Sequence, residues 1–321
     1  MFDRNSRFAN GARPNDVLNS ITVDVEDYFQ TEAMGSVVAR EQWDQLPGRV
    51  ERNTKRLLDL FAAHDVRGTF FFLGWVAERF PGLVREAAGL GHEIGCHSYW
   101  HRLVYRLTPE EFREDTKRAK EVTEDALGAE IVGYRAPNFS LVKGTEWAPE
   151  ILASLGFRYD SSVYPIQHDV YNNPGAPRVP GGIAGGTLME FPIATLAVGK
   201  TNLPLGGGGY LRILPYSYTR WGLLHLNRVT KMSAVVYIHP WEIDPEQPRF
   251  PASALSQFRQ YTGLRRTAAK LERLLRDFRF APIKEVFSKQ LASVSMRAPL
   301  SRTSAHGDRL RFMLQREIEN G

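Results

Sequence analysis

Ile21-Thr22-Val23-Asp24-Val25-Glu26-Asp27 starts apolar and β-branched and ends in acids. It reads as a buried strand that delivers carboxylates at its C-terminal end. Outward from it, Gly68-Thr69-Phe70-Phe71-Phe72-Leu73-Gly74 is a second aromatic run between glycines, again a buried strand. Between the two, Leu57, Leu58, Leu60 and Phe61 recur at helical spacing and predict a helix over 49–64. A helix over 75–90 is interrupted at Pro81-Gly82, and 92–96 is a short strand. Thr108-Pro109-Glu110-Glu111 is a capping box, so a helix runs from there to about Leu127 and stops at Gly128. A strand at 131–134, a helix at 146–155 and a strand end at 158–160 follow. This alternation predicts parallel strands with covering helices, either a barrel or an open doubly wound sheet.

The pattern breaks over 164–209, a Pro- and Gly-rich stretch that ends in Gly206-Gly207-Gly208-Gly209. It reads as inserted loops with a few short strands, including 188–193. Alternation returns as a helix at 213–229, a strand at 234–239, a helix at about 256–277 and a strand at 281–286. Residues 290–321 have weak periodicity and read as a tail.

Composition narrows the function classes. A hydrophobic fraction of 43% over 321 residues excludes global disorder and collagen. Cys96 is the single cysteine, which excludes an intramolecular disulfide and a Cys-rich zinc site. The net charge of +5 is uneven: from Arg265 onward there are 13 basic and 6 acidic residues, and the rest of the chain is slightly acidic. No basic groove is expected in the body, hence no nucleic-acid partner. The basic tail offers at most a weak contact with a membrane or a complex. The polar 1–19 segment lacks an apolar signal core, and no stretch approaches the ~18 apolar residues of a membrane span. A soluble cytoplasmic protein is the expectation.

In parallel-strand folds, functional groups gather beyond the C-terminal ends of strands. Five predicted strand ends each carry titratable residues: Asp24, Glu26 and Asp27; His97 and His101; Arg135; Asp160; and His239. His97-Ser98-Tyr99-Trp100-His101 sets two imidazoles four apart, and on a helical turn both share one face. Two histidines and a carboxylate suit zinc, or another divalent ion such as cobalt, manganese or nickel, and leave a position open for water. Among the three acids, one can ligate the ion and another can act as base. If the strand stays extended Asp24 and Glu26 point the same way; if the chain turns, Asp27 can replace Glu26. Arg135 can hold a base carboxylate ionised, and after Pro137 the backbone N–H of Asn138 can face a reacting carbonyl. His239 can protonate a leaving amine, with Asp160 as its orienting partner. Trp100, Tyr164, Trp241 and Tyr210 are candidate sugar platforms.

With those residues in place, the chain resembles the polysaccharide deacetylases of carbohydrate esterase family 4, which carry a NodB-type domain. The resemblance rests on Thr22-Val-Asp-Val-Glu-Asp27, His97-Ser-Tyr-Trp-His101, Arg135-Ala-Pro137, Tyr159-Asp-Ser-Ser162 and Ile238-His-Pro240, in the family's order. Asp24-Val-Glu-Asp-Tyr-Phe-Gln30, Phe72-Leu-Gly-Trp-Val-Ala-Glu-Arg79, Gly133-Tyr-Arg-Ala-Pro137, the Gly-rich 204–210 and His239-Pro-Trp-Glu-Ile-Asp-Pro-Glu-Gln-Pro248 are similar to the subgroup found with exosortase (PEP-CTERM) exopolysaccharide systems. The resemblance implies a distorted (β/α) barrel with a Gly/Pro-rich insertion and a basic tail. It divides the chain into a flexible leader (1–19), a deacetylase core (20–165), a subgroup-specific region that completes the barrel (166–285) and the tail (286–321). It implies a divalent-metal hydrolase acting on an N-acetylated glycan. His97 and His101 are then ligands, Asp24 the base oriented by Arg135, and His239 the acid partnered by Asp160. Two departures stand out. Val25 replaces the second of the family's adjacent aspartates, which leaves Glu26 or Asp27 as third ligand, and Ser161-Ser162 stands where many relatives carry a tryptophan. A metal-dependent hydrolase of a small amide or ureide is the first alternative, and a non-catalytic glycan-binding scaffold the second.

Overall fold

A computed structural model describes residues 17–294. Of the expected leader and basic tail, 1–16 and 295–321 lie outside the described residues. β1 (Leu18–Val25) begins inside the expected leader and is buried along nearly all its length. It is followed by α1 (Val50–Ala63), β2 (Thr69–Phe72), α2 (Gly74–Arg79), α3 (Pro81–Gly89), β3 (Glu93–Cys96) and α4 (Pro109–Leu127). Then come β4 (Gly133–Tyr134), α5 (Ala148–Ser154) and β5 (Tyr159–Asp160). The insertion holds β6 (Gly181–Ile183), β7 (Leu188–Glu190) and the hairpin β8 (Thr195–Val198) with β9 (Thr201–Pro204). The remainder is α6 (Gly209–Ile213), α7 (Tyr216–Arg228), β10 (Val235–Ile238), α8 (Ala254–Tyr261), α9 (Leu264–Asp277), β11 (Arg279–Ala281), α10 (Ile283–Val286) and α11 (Ser288–Ala292).

The main sheet runs β10-β1-β2-β3-β4-β5-β7-β6, with β11 beside the start of β1. Every pairing is parallel except β6 with β7. The sheet curls because the chain after β7 reaches the far edge of β10. Ala194 N donates to Val235 O at 3.0 Å, Tyr237 N to Gly206 O at 2.7 Å and Gly208 N to Tyr237 O at 2.9 Å. Only glycine fits at 207, where φ is +113° and a Cβ would lie 2.1 Å from the Tyr237 carbonyl oxygen. The result is the distorted (β/α) barrel.

Strand alternation gives the barrel two faces. Ile21, Val23 and Val25, Phe70 and Phe72, and Val236 and Ile238 pack outward into the main core beneath the helices. Phe71, Val235 and Tyr237 point inward with Tyr159, Tyr164 and Phe191. Asp24 pairs in register with Phe71, so the same alternation that buries Val23 and Val25 outside turns Asp24 inside. The sequence places that carboxylate by being valine on both sides of it.

Three expected elements differ. The helix at 213–229 forms as α7, which starts only after Pro215, and the unexpected short α6 precedes it; the helix at 256–277 is broken at Gly263, whose φ is +83°. The strand at 281–286 ends at Ala281, and Pro282 starts α10 instead. The first N–H groups of α10 are taken by the barrel: Ile283 N donates to Thr69 Oγ1 at 2.9 Å and Lys284 N to Glu93 Oε2 at 3.1 Å. α10 thereby closes the end of the barrel where the parallel strands begin.

His92, which has no part in the site, is buried between Phe61 and Phe70 and accepts from Gly68 N at 3.1 Å. Burial, with nearby Arg67, lowers its pKa from 6.5 to about 4. The unfolded chain therefore binds a proton in this window that the folded chain does not, and stability falls as pH drops from about 6.5 to 4. Unfolding free energies of His92→Gln from urea titrations should vary less across that range than those of the parent, by about 1–2 kcal/mol. Parallel pH profiles for the two proteins would contradict it.

Candidate active site

The parallel strands end on one rim, and the loops there carry the polar residues. β1 stops at Val25, and Glu26 N donates back to Asp24 O at 3.1 Å, so the chain turns at once. The turn sends the two disputed acids opposite ways. Glu26 faces inward, with Oε2 2.6 Å from His101 Nε2. Asp27 faces the start of α1. Its Oδ2 accepts from Arg49 N (2.6 Å) and Val50 N (2.9 Å), and its Oδ1 from Tyr28 N (2.9 Å). It serves as the cap of α1, and burial raises its pKa to about 6 despite those bonds. Asp27→Ala should cost about 1–2 kcal/mol of stability and leave divalent-metal stoichiometry unchanged. A stable Asp27→Ala chain without metal would reverse the assignment.

The two histidines meet, but not on a helical turn. His97 continues from β3, and 97–103 is an irregular loop in which Ser98 (φ +61°) and His101 (φ +53°) adopt the left-handed conformation. The loop is pinned by Gly74 N to Ser98 O (2.8 Å), Tyr99 N to Asp115 Oδ2 (2.7 Å) and His101 N to Ser98 Oγ (3.1 Å). The rings lie 5.3 Å apart. The His97 Nδ1 edge meets Arg135 O at 2.8 Å, while its buried Nε2 has no hydrogen-bond partner. One ligand atom each from Glu26, His97 and His101 lies within 4.8 Å of the others. Burial lowers the His97 pKa to about 4, which keeps the ring neutral. Burial alone would raise Glu26, but the charge and hydrogen bond of His101, helped by His239 and His97, take it down to about 2. The Glu26 carboxylate and two imidazoles, that of His97 neutral with an unpartnered buried nitrogen, are a donor set for a divalent cation.

Arg135 is fully buried. Its Nη1 donates to Asp24 Oδ1 (2.8 Å) and Thr22 Oγ1 (2.5 Å), its Nε to Ser161 O (2.9 Å) and its Nη2 to Ser161 Oγ (2.8 Å), with the guanidinium 4.4 Å from the Phe71 ring centre. Five contacts fix it as a charged clamp on Asp24. Asn138, at φ +50°, lines the cleft beside Asp24, and its buried Nδ2 has no partner.

His239 follows β10, and its Nε2 lies 3.7 Å from Glu26 Oε1 and 3.9 Å from Asp24 Oδ2. Its orienting partner is Glu242, not Asp160: Nδ1 meets Glu242 Oε2 at 3.1 Å, and Glu242 Oε1 accepts from Arg212 Nε at 2.7 Å. Arg212 in turn donates to the terminal carbonyls of α8, those of Arg259, Gln260 and Thr262. Burial would lower the His239 pKa, but the Glu242 hydrogen bond and the charges of Glu26, Glu242 and Asp24 raise it to about 9. Asp160 lies elsewhere. It accepts from Ser162 Oγ and shares a hydrogen bond with Glu190; burial raises both carboxyls, and the neighbouring Asp160 charge raises Glu190 further.

The aromatic candidates divide. Trp241 lines the cleft, stacks on His239 (5.3 Å between centres) and donates from Nε1 to Glu26 Oε1 at 3.1 Å. Tyr164 is 1% exposed and packs in the core against Phe139 and Tyr171, so it offers no platform. Trp100 lines a separate hollow on the other side of His101, beneath Arg40 and beside Trp43. The cleft holding Asp24, Glu26, Asn138, His239 and Trp241 has a volume of about 570 Å³. Glu242 and Arg212 are the residues that sequence reasoning missed. Glu242 had a signal, its place three after His239 in a capping-box spacing; Arg212 had none in its local sequence.

Comparison with known proteins fits this geometry. Residues 41–159 match the polysaccharide deacetylase family model, and 161–288 match a domain of unknown function, DUF3473. The peptidoglycan-N-acetylglucosamine deacetylase of Bacillus cereus is 33% identical over 98 residues, 30% of this chain and 36% of that protein. The peptidoglycan deacetylase of Helicobacter pylori is 31% identical over 108 residues, 34% of this chain and 36% of that protein. The matched part is thus about a third of the length of these relatives. A crystal structure from Mycobacterium smegmatis assigned to the polysaccharide deacetylases shares the fold, with a TM-score of 0.60 at 20% identity over 92% of this chain and 97% of that one. The family model and the relatives show residues 41–159 to be similar to the polysaccharide deacetylases. The candidate site draws on both matched regions and on β1, which precedes them: Asp24 and Glu26 come first, His97, His101 and Arg135 from the deacetylase match, and His239, Trp241, Glu242 and Arg212 from the second.

Proposed function

We propose that this protein is a divalent-metal hydrolase that removes N-acetyl groups from an amino-sugar glycan, in exopolysaccharide biosynthesis. The observation that carries the reading is a cleft lined by Asp24, Glu26 and His239, with His97 and His101 completing a three-residue donor set around Glu26. Zinc, or cobalt, manganese or nickel, would be held by those three residues and would supply Lewis acidity toward the acetamide oxygen and toward water. Asp24, clamped by Arg135, takes the proton of the attacking water. The Asn138 backbone N–H faces the oxygen that gains charge. His239, held by Glu242, protonates the departing amine. Trp241 bonds Glu26, stacks on His239 and borders the bound sugar. The exopolysaccharide context rests on the motif resemblance around 24–30, 72–79 and 239–248.

A cleft of about 570 Å³ beside Asp24 and His239 has room for a sugar unit, whereas a small amide or ureide would be better suited by a closed pocket. Among the described residues no helix is long and apolar enough to cross a membrane. The test is acetate release from chitooligosaccharides and N-acetylated exopolysaccharide fragments, with zinc and with chelator. Release that depends on metal is expected. Bound metal with no acetate from any glycan would overturn the reading and make ureides the next substrates to try.

A further inference from the structure

The far wall of the cleft does not suit a sugar. Ile213 (39% exposed), Leu255 (54%) and Phe258 (50%) stand bare to solvent there, with Val170 beside them. Bulky apolar side chains scattered singly over a surface mean little; three on one wall of a catalytic cleft are a recognition feature. A pyranose could lay a face on Phe258, but its rim of hydroxyls finds no partner on the branched aliphatic Ile213 and Leu255. Two large polar side chains at that end are engaged within the protein. Arg259 donates twice to Asp169 (2.8 Å each), and the Gln260 amide bonds Thr31, Tyr28 O and Gln247. All three wall residues belong to the 161–288 region rather than to the deacetylase match.

We propose that the N-acetylated sugar taken by this site carries a hydrocarbon aglycone, a long alkyl or polyprenyl-like chain, which lies on the Ile213/Leu255/Phe258 wall while the acetamide reaches Asp24 and His239. This rests on the deacetylase reading and names the substrate class for it. The wall is continuous with the catalytic groups in one cleft, so its occupant is part of the molecule being processed.

The experiment compares octyl and methyl N-acetyl-β-glucosaminides on the zinc-loaded full chain, with the octyl compound below its micelle concentration. The octyl glycoside should be favoured in kcat/KM by about tenfold or more, the worth of roughly two buried methylenes. Leu255→Ser/Phe258→Ser should bring that ratio close to one; both side chains are half exposed, so folding is not at stake. Equal rates on the two glycosides in the parent chain would overturn the proposal. Calorimetry with octyl β-glucoside, which has no acetamide, separates the two readings. Binding lost in the double variant, with no acetate from either glycoside or from chitooligosaccharides and exopolysaccharide fragments, supports the wall and sinks the deacetylase reading. No binding to the parent chain overturns the wall whatever the activity. A parent dimer in sedimentation that the double variant dissolves would also overturn it, making the wall an interface between copies.

Discussion

His101→Ala should lose its divalent metal and about 10³-fold or more of turnover together. The loop that presents His101 is held by bonds from Ser98 and Tyr99, so the alanine chain keeps its backbone and loses one donor of three. Glu26 Oε1 retains its bond from Trp241, but its Oε2 loses the imidazole 2.6 Å away that holds the carboxyl ionised. The remaining pair, Glu26 and His97, is too few for a divalent site of useful affinity. The readouts are zinc per chain after dialysis and acetate release at saturating zinc. The parent chain should hold about one ion and lose activity reversibly to chelator; the variant should hold almost none and recover little with excess zinc. Asp27→Ala supplies the contrast, since its carboxylate caps α1 and should leave the metal in place. A His101→Ala protein that binds zinc and turns over like its parent would falsify the donor set.

What the sequence disclosed follows from how local each feature is. The alternation around Asp24 is legible because valines on either side of it face the helices, which leaves the carboxylate inside. The capping box at Thr108 and the left-handed Gly128 bound α4 as read, since both are decided within one turn of chain. The choice between Glu26 and Asp27 was illegible because it turns on a bend after β1 and on where α1 starts, more than twenty residues onward. The HxxxH spacing brought the right imidazoles together for a wrong reason: the backbone there is left-handed at two residues rather than helical. Asp160 was proposed as the His239 partner because it is an acid at a strand end. Its strand, however, pairs with β7, and the acid it meets is Glu190. Arg212 was invisible because its partners, Glu242 and the end of α8, lie 30 to 50 residues away in sequence.

The Glu242–His239 pair leads to the second large effect. His239 Nδ1 is held by Glu242, so Nε2 is the nitrogen turned toward Asp24 and Glu26. With its pKa raised to about 9, the ring carries a proton at neutral pH and can give it up. An amide needs that proton, because an amine anion is too basic to leave; an aryl ester does not, because a nitrophenolate leaves unaided. His239→Ala should therefore lose about 10²–10⁴-fold in turnover of an N-acetyl sugar and less than about tenfold with p-nitrophenyl acetate, while keeping its metal. Glu242→Gln should fall between His239→Ala and the parent on the amide, since the ring remains but loses the charge that holds it protonated and aimed. The two substrates set the roles apart. Equal losses on amide and ester would mean that His239 shapes the site or supports the attacking water rather than the leaving group. Asp24→Asn, by contrast, should suppress both substrates alike, because each needs the same attack. In the proposed mechanism a proton donor just after β10 and a proton acceptor on β1, side by side in the barrel and each locked by its own partner, are what this fold contributes beyond the metal-binding residues.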